Sequence, residues 1–302
     1  MTLDTTFAFE TQALSDLARD TAVRYRGATP FPHVVLDDFL PEAVLDEVLE
    51  EFPGVDDGAW WRFDSDRERK LGSPDQAMMG RSTQHLFAHF NGPTFVDFLS
   101  EMTGIGGLVP DPHLFGGGLH QIEPGGFLEV HADFNLHPLT RLERRLNVLV
   151  YLNRDWQESW GGELELWESD MSQCAERIQP VFNRCVVFST TDTSYHGHPV
   201  PLSCPSGTTR RSLALYYYSL PATLGAPAEH NTVFPRNPEP EEPPPAPRGR
   251  LRELGSDLLP PLAIRMARTV TRRAPGRGAE RGAERDAVRG TEPSAAPSRG
   301  RD

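Results

Sequence analysis

The sequence predicts a mainly β protein, an antiparallel sandwich or barrel, with helices near its N-terminus. Two observations predict this fold class. From about residue 113 the chain consists of short β-rich runs broken by Gly, Pro and Asn, and no long helix separates them. Nearer the N-terminus, apolar residues recur at helical spacing. The six runs are LHQI, FLEVHAD, LNVLVYLN, GELELWE, RCVVFST and RSLALYYYS.

The N-terminal elements are a helix, a strand and a second helix. Residues 10–26 form the first helix, because Leu14, Leu17, Ala18 and Val23 lie close to helical spacing. Residues 31–40 are strand-like. Pro41 then opens a helix over EAVLDEVLEEF, which Pro53-Gly54 ends.

Turn residues and prolines divide the rest of the chain. Pro124-Gly125-Gly126 and Gly161-Gly162 are turns between strands. Residues near 225–250 are too rich in proline for a sheet or a helix interior, so the folded part should end near residue 222. We therefore divide the chain into a supporting region (1–112), a core (113–222), and a Pro-rich linker with a basic, disordered tail (223–302).

The charge is unevenly distributed. Residues 1–244 carry 17 Lys+Arg against 36 Asp+Glu, while residues 245–302 carry 13 against 7. An acidic body repels phosphates, which disfavours a nucleic-acid partner. The basic tail could contact an anionic partner.

Cysteine content and hydropathy indicate the compartment. The three cysteines, Cys174, Cys185 and Cys204, form no Cys-x-x-Cys pair, and an odd number argues against a disulfide framework. The N-terminus shows no basic stretch leading into an apolar core, and no run of about 18 apolar residues exists. We therefore expect a cytoplasmic protein without a transmembrane segment.

A His-x-Asp pair is the first candidate for chemistry. Side chains at positions i and i+2 of a strand share a face, so FLEVHAD places His131 and Asp133 on one wall of the sheet. A third ligand must come from another strand. His196, just after RCVVFS, is the candidate. His198 is its rival, but His196 is preferred because Pro199 restrains the backbone at His198. Two imidazoles and one carboxylate leave open positions on iron(II).

A second candidate lies in the last strand. Arg210 and Ser212 share one face, and Arg211 takes the other. A guanidinium that faces into a barrel needs an anion, and its fork binds a carboxylate through two charge-assisted hydrogen bonds. Ser212 can add a third contact.

With these residues in order, the sequence resembles the 2-oxoglutarate and iron(II)-dependent oxygenases, in particular the prolyl 4-hydroxylase-like branch. The segments that carry the resemblance are FLEVHADFN, LNVLVYLNRDWQESWGGELELWE, RIQPVFNRCVVFSTTDTSYHGHP and RRSLALYYYS. The run from Tyr151 to Trp156 with Gly161-Gly162 is similar to oxygen-sensing prolyl hydroxylases, which implies that Tyr151 also binds the cosubstrate carboxylate.

The resemblance implies a double-stranded β-helix (jelly roll) and a dioxygenase that hydroxylates an unactivated C–H bond. Its cofactors would be Fe(II), the cosubstrate 2-oxoglutarate and O2, with ascorbate as reductant in vitro. Succinate and CO2 would be the co-products. The metal ligands would be His131, Asp133 and His196, and the cosubstrate residues Arg210, Ser212 and Tyr151. A prolyl, amino-acid or natural-product substrate, small or peptidyl, is implied.

Two departures from the family pattern concern the substrate. Ile122 stands where relatives have a tyrosine, and the segment PVPLSCPSGTT lengthens the chain between His196 and Arg210, as a lid could. GRSTQHLF, NLHPLTRLERRLN and QESWGG offer loops for substrate contacts. Arg81, Asn135 and Trp160 are the candidates there, whereas the arginines of RLERR belong on a solvated face.

Two other classes of protein compete with an oxygenase. A zinc-dependent hydrolase could use the same His/Asp/His set, but it leaves the inward Arg210 and Tyr151 unexplained. A non-catalytic β-sandwich that binds a ligand leaves the His-x-Asp pair unexplained.

Overall fold

Four α-helices lie in the first part of the chain and most strands follow them, within residues 7–221 and 228–235, the part of the chain that the computed structural model describes. The helices are α1 (Thr11–Gly27), α2 (Glu42–Glu50), α3 (Arg81–Phe90) and α4 (Pro93–Thr103). The first seven strands are β1 (His33–Leu36), β2 (Trp61–Asp64), β3 (Glu68–Ser73), β4 (Val109–Pro110), β5 (Gly118–Ile122), β6 (Phe127–His131) and β7 (Glu143–Tyr151). The remaining strands are β8 (Leu164–Trp167), β9 (Cys174–Ile178), β10 (Cys185–Ser189), β11 (His196–His198) and β12 (Arg210–Ser219).

The N-terminal helix α1 lies where the sequence predicts it and packs against α4. Its buried face is formed by Leu14, Ala18, Thr21 and Tyr25, which recur every three or four residues. The expectation that Val23 belongs to this face is wrong, because Val23 is 84% exposed. Tyr25 takes the inward position and hydrogen-bonds the Ser189 hydroxyl of β10 at 2.7 Å.

The strands form a nearly closed, barrel-like antiparallel sandwich, which confirms the predicted fold class. The strand order is β1-β10-β7-β12-β5-β3-β6-β11-β8-β9, with β2 paired to β3 and β4 to β12. Each of the six predicted runs contains a strand. The sequence did not predict β9 and β11, because β9 (CAERI) has little apolar alternation and β11 is three residues long with a central glycine.

Residues 54–112 contain elements that the sequence pattern does not reveal. β3 reads ERKLGS and has little apolar alternation, yet it pairs with both β5 and β6 and so connects the two halves of the sheet. Residues 81–90, expected within a loop near the mouth, form α3. The apolar face of α3 is buried. At its C-terminal end the Tyr217 hydroxyl of β12 donates to the carbonyl oxygen of Phe90 at 2.9 Å.

Residues 228–235 lie against the core, so the fold extends past the predicted end near residue 222. Val233 forms two backbone hydrogen bonds with Ala132, of 2.8 and 2.9 Å. Asn135 donates to the carbonyl oxygen of Ala228 and accepts from the amide of His230. Proline density rules out a ladder, but an isolated bridge needs one free N–H and one carbonyl. We call residues 228–235 the C-terminal strap.

Most of the predicted linker and tail lies outside the described residues, which omit 1–6, 222–227 and 236–302. In the part of the chain that is described, none of the helices is both long enough and apolar enough to cross a membrane.

The strap contacts predict that two truncations differ. A chain that ends at residue 236 keeps both hydrogen bonds to Ala132, whereas one that ends at residue 227 loses them. Loss of about 1 kcal/mol per hydrogen bond should speed exchange of the Ala132 amide at least fivefold in the shorter chain. Hydrogen exchange followed by mass spectrometry measures this rate. Equal rates in the two chains would contradict the strap.

Candidate active site

Two histidines and an aspartate meet where β6 and β11 pair. His131 ends β6 and His196 begins β11, and the antiparallel register sets these two residues directly opposite each other. Asp133 follows His131 by two residues. His131 Nε2 lies 3.6 Å from Asp133 Oδ1, and His196 Nε2 lies 3.5 Å from Asp133 Oδ2. One donor atom from each residue lies within 4.8 Å of the others, so the three could hold a metal ion together.

Backbone carbonyl oxygens orient both imidazoles. His131 Nδ1 lies 2.9 Å from the carbonyl oxygen of Glu129, and His196 Nδ1 lies 3.0 Å from that of Ser194. A carbonyl accepts but cannot donate, so each Nδ1 carries the proton. Each Nε2 then has a free lone pair that points toward Asp133, as a metal ligand requires.

The Asp133 carboxylate is held from behind by two side chains. Arg144 lies 3.0 Å and the Asn147 amide nitrogen 2.8 Å from Oδ2, and the guanidinium also donates to the Asn147 amide oxygen. Burial alone would raise the pKa of Asp133, but the charge of Arg144 opposes it, and that pKa lies well below its usual range. Asp133 is therefore a carboxylate in the folded protein.

The expectation that the arginines of RLERR lie on a solvated face is wrong for Arg144, which is 2% exposed. Side chains alternate between the two faces of β7. If this alternation held without a break from Tyr151, which faces into the barrel, Arg145 would face into the barrel as well. Instead, a bulge shifts the register so that Tyr217 pairs with Leu146 and Tyr218 with Arg144. Arg145 is the extra residue, and Arg144 turns inward. Its guanidinium lies 3.5 Å from the ring centre of Tyr216.

Aromatic rings enclose the two histidines. The ring of Phe188 lies 4.7 Å from that of His196, and Phe234 of the strap lies 5.5 Å from His131. Burial lowers the pKa of His196 to about 4, against the opposing charge of Asp133. His196 is thus neutral at physiological pH and ready to bind a metal without losing a proton.

Arg210 lies in the same barrel, at the start of β12, and is buried. Its Nε donates to the carbonyl oxygen of Gly162 at 2.8 Å, and a terminal nitrogen lies 3.3 Å from the Tyr151 hydroxyl. Among the described residues no carboxylate lies within ion-pairing distance of it. Gly162 has a φ of +80°, and a Cβ there would lie 2.7 Å from Leu202 and 3.0 Å from Arg210, so glycine is required.

Tyr151 and Ser212 are cross-strand partners beside Arg210. Both are buried, and burial raises the pKa of Tyr151 although Arg210 opposes the shift, so the phenol keeps its proton. Arg211 takes the opposite face, where its guanidinium lies 5.3 Å from the ring centre of Phe52. The three residues predicted to grip the cosubstrate therefore lie together, and Arg211 lies elsewhere.

The three residues predicted to contact the substrate are either bound to other parts of the protein or exposed. Both polar atoms of the Asn135 amide are used by the strap. Arg81 is exposed at the first residue of α3. Trp160 packs edge-on against Trp156 at 5.3 Å, in a small apolar cluster with Ile122 and Leu202.

The lengthened segment between His196 and Arg210 is anchored to two turns. Leu202 exchanges backbone hydrogen bonds with Gly125 and Gly126, and Ser203 binds the carbonyl oxygens of Trp160 and Ser159. Leu202 and Ile122 share one cluster, so the position where relatives have a tyrosine is filled here by apolar packing. The segment that the sequence suggested as a lid is thus held near its centre by the hydrogen bonds of Leu202 and Ser203.

Comparison with known proteins supports the resemblance. The family model described as the 2OG-Fe(II) oxygenase superfamily matches residues 117–218, a segment that includes the whole His/Asp/His cluster and Arg210. The core is therefore similar to that superfamily, and the resemblance predicted from sequence is confirmed for this segment.

The chain is also similar to individual proteins. Over 99 residues the chain is 29% identical to "Prolyl 3-hydroxylase OGFOD1" of Mus musculus. The matched segment covers 32% of this chain and 18% of that protein. The fold is similar to a prolyl hydroxylase from Trichoplax adhaerens solved with a hypoxia inducible factor peptide, with a TM-score of 0.52, 18% identity, and coverage of 72% of this chain and 96% of that one. A prolyl-4-hydroxylase from Pseudomonas putida matches with a TM-score of 0.46 at 18% identity, over 68% of this chain and 98% of that one.

The support of Asp133 predicts a large difference between two neighbouring arginines. Arg144→Met removes the charge that holds Oδ2, so affinity for Mn²⁺ or Fe²⁺ should fall by about tenfold or more. Arg145→Met is the matched control, because Arg145 hydrogen-bonds Ser219 away from the cluster, and it should leave affinity nearly unchanged. Titration calorimetry measures both. Similar affinities in the two variants would refute the assignment.

Proposed function

We propose that this protein is an Fe(II)- and 2-oxoglutarate-dependent dioxygenase that hydroxylates an unactivated C–H bond. Its co-products would be succinate and CO2. The single observation that carries the proposal is Arg210, a buried guanidinium without a carboxylate partner among the described residues, in the barrel that also holds the His/Asp/His cluster. A buried cation of this kind is stable when its ligand supplies the anion.

The donor set fits iron(II). His131 and His196 would each bind through Nε2 and Asp133 through Oδ1, since Arg144 and Asn147 occupy Oδ2. This set leaves adjacent coordination positions for oxygen chemistry. When bound, iron with 2-oxoglutarate supplies the activation of O2 and the oxidation of the C–H bond.

The chain's own residues would bind and orient the cosubstrate. Arg210 can donate two parallel hydrogen bonds to a carboxylate, and the Tyr151 and Ser212 hydroxyls lie beside it to add further donors. Phe188 and Phe234 shield the two histidines and keep water from the metal ligands. Asp133 remains charged through the support of Arg144, so the ligand set needs no proton transfer before metal binding.

The competing functions account for less of the site. A zinc-dependent hydrolase explains the cluster, but it has no use for a buried fork that Tyr151 and the Gly162 carbonyl hold in place. A non-catalytic binding protein explains Arg210, but it leaves three metal-ligating donors within 4.8 Å of one another without a role.

For the substrate we propose a prolyl or other amino-acid residue, free or in a peptide, or a related natural product. The relatives named as prolyl hydroxylases support the prolyl class. The acidic body, with 17 basic against 36 acidic residues in 1–244, favours a neutral or cationic substrate over a polyanion.

Turnover of 2-oxoglutarate tests the proposal. With Fe(II) and ascorbate the protein should release succinate from 2-oxoglutarate, at least slowly without the primary substrate, and Zn(II) in place of Fe(II) should give none. Arg210→Ala removes both forked bonds, of about 1.5–3 kcal/mol each, so the apparent affinity for 2-oxoglutarate should fall at least tenfold. Arg210→Lys should recover part of it.

Arg211→Ala is the matched control for Arg210→Ala. Arg211 faces Phe52, so its loss should change 2-oxoglutarate affinity far less, and both variants should still bind iron. No succinate from the parent protein with any divalent metal would refute the oxygenase. A crippling effect of Arg211→Ala with a silent Arg210→Ala would refute the register of β12.

A further inference from the structure

His198 is a buried histidine that does not belong to the His/Asp/His cluster. It ends β11, two residues after His196, and is 4% exposed. Neither of its ring nitrogens has a hydrogen-bond partner among the residues that the structure describes. A buried polar group without a partner costs free energy and is uncommon in folded proteins. Such a group points to a ligand that completes it.

The charges that face His198 come from three strands. Arg210 on β12, Lys70 on β3 and His131 on β6 are its neighbours in order of influence. An imidazole carries at least one N–H donor in either tautomer, so the ring of His198 has a donor to satisfy.

Arg210 and Lys70 cannot satisfy the N–H, because guanidinium and ammonium groups only donate hydrogen bonds. The Lys70 ammonium itself pairs with Glu68 at 3.0 Å. The imidazole N–H thus lacks an acceptor until an anionic oxygen enters beside Arg210.

The position of His198 matches one end of the proposed cosubstrate. His198 follows Gly197, which pairs with Glu165 of β8, and so lies toward the N-terminal end of that strand. Gly162, two residues before β8, accepts a hydrogen bond from Arg210 Nε at 2.8 Å. His198 and Arg210 therefore approach the same end of β8, where a carboxylate held by Arg210 would lie.

We propose that His198 is a cosubstrate-binding residue whose ring N–H donates a hydrogen bond to the distal carboxylate of 2-oxoglutarate, the carboxylate that Arg210 holds. The proposal rests on the proposed function. It gives the orphaned imidazole an acceptor, and it gives the carboxylate a further donor in addition to the fork of Arg210. His198 is a site residue in its own right and not a substitute for His196.

Binding measurements on Mn²⁺-loaded protein test this role. His198→Leu removes both ring nitrogens, and the dissociation constant for 2-oxoglutarate should rise about tenfold. Affinity for Mn²⁺ alone should stay close to that of the parent. His113→Leu, which removes an exposed histidine, is the matched control and should bind 2-oxoglutarate like the parent.

A second ligand separates a hydrogen bond from packing. 2-Oxopentanoate has the same five-carbon chain as 2-oxoglutarate but a methyl group in place of the distal carboxylate. His198→Leu should leave its affinity unchanged within about twofold, because the bond in question is absent from the start. His198→Gln keeps an N–H donor and should recover part of the 2-oxoglutarate affinity.

Nuclear magnetic resonance on the parent protein decides the matter even if a variant does not fold. With ¹⁵N-labelled histidine and Zn²⁺ in the site, 2-oxoglutarate should shift the His198 ring N–H and slow its exchange, and 2-oxopentanoate should not. An unchanged resonance, parent-like 2-oxoglutarate binding by His198→Leu, or an equal loss for both ligands would overturn the role of His198. A parent protein that binds metal but no 2-oxoglutarate would overturn the proposed function itself.

Discussion

The site depends on one backbone pairing, the antiparallel register that sets His196 of β11 opposite His131 of β6. Because side chains alternate along a strand, a slip of one residue would bring Gly197 to this position and separate the ligands. Gly197 itself makes the pairing possible. A Cβ there would lie 2.8 Å from the carbonyl oxygen of Leu128 and 2.9 Å from Val130 Cα, closer than any side chain allows. The glycine between the two histidines lets the strands approach.

Two buried arginines on this framework obtain their counter-charges in different ways. Arg144 has an internal partner, Asp133, and keeps it ionised and turned toward the metal site. Arg210 forms no ion pair among the described residues, and we propose that a ligand supplies its anion. The first arrangement prepares the metal site in advance, and the second leaves a place for a cosubstrate. The same barrel therefore contains a completed ion pair and an incomplete one.

The sequence predicts those parts of the site that follow from strict alternation in a strand. His131 with Asp133, and Arg210 with Ser212, each obey the two-residue period and lie together as expected. Arg144 could not be predicted, because a bulge, which depends on the partner strand, changes which arginine faces inward. The preference for His196 over His198 agrees with the cluster, but it rested on a local restraint at Pro199 and not on the pairing with β6 that produces it.

Long-range contacts account for the other differences from prediction. β3 has a charged sequence and becomes a strand because two neighbours, β5 and β6, pair with it. The C-terminal strap has the composition of a proline-rich linker. It nevertheless lies beside the His/Asp/His cluster, because Val233 forms a β-bridge and the side-chain amide of Asn135 hydrogen-bonds its backbone. Composition reports local propensity and carries no information about such partners.

We propose that His131, Asp133 and His196 hold a metal ion and that Arg210 binds the far end of 2-oxoglutarate. Anaerobic crystals with Mn²⁺ and 2-oxoglutarate, measured with anomalous scattering, test it most directly. The account predicts one anomalous peak at about 2.0–2.2 Å from both Nε2 atoms and from Asp133 Oδ1, with the distal carboxylate on the Arg210 guanidinium. A metal bound elsewhere, or a carboxylate that avoids Arg210, would contradict it.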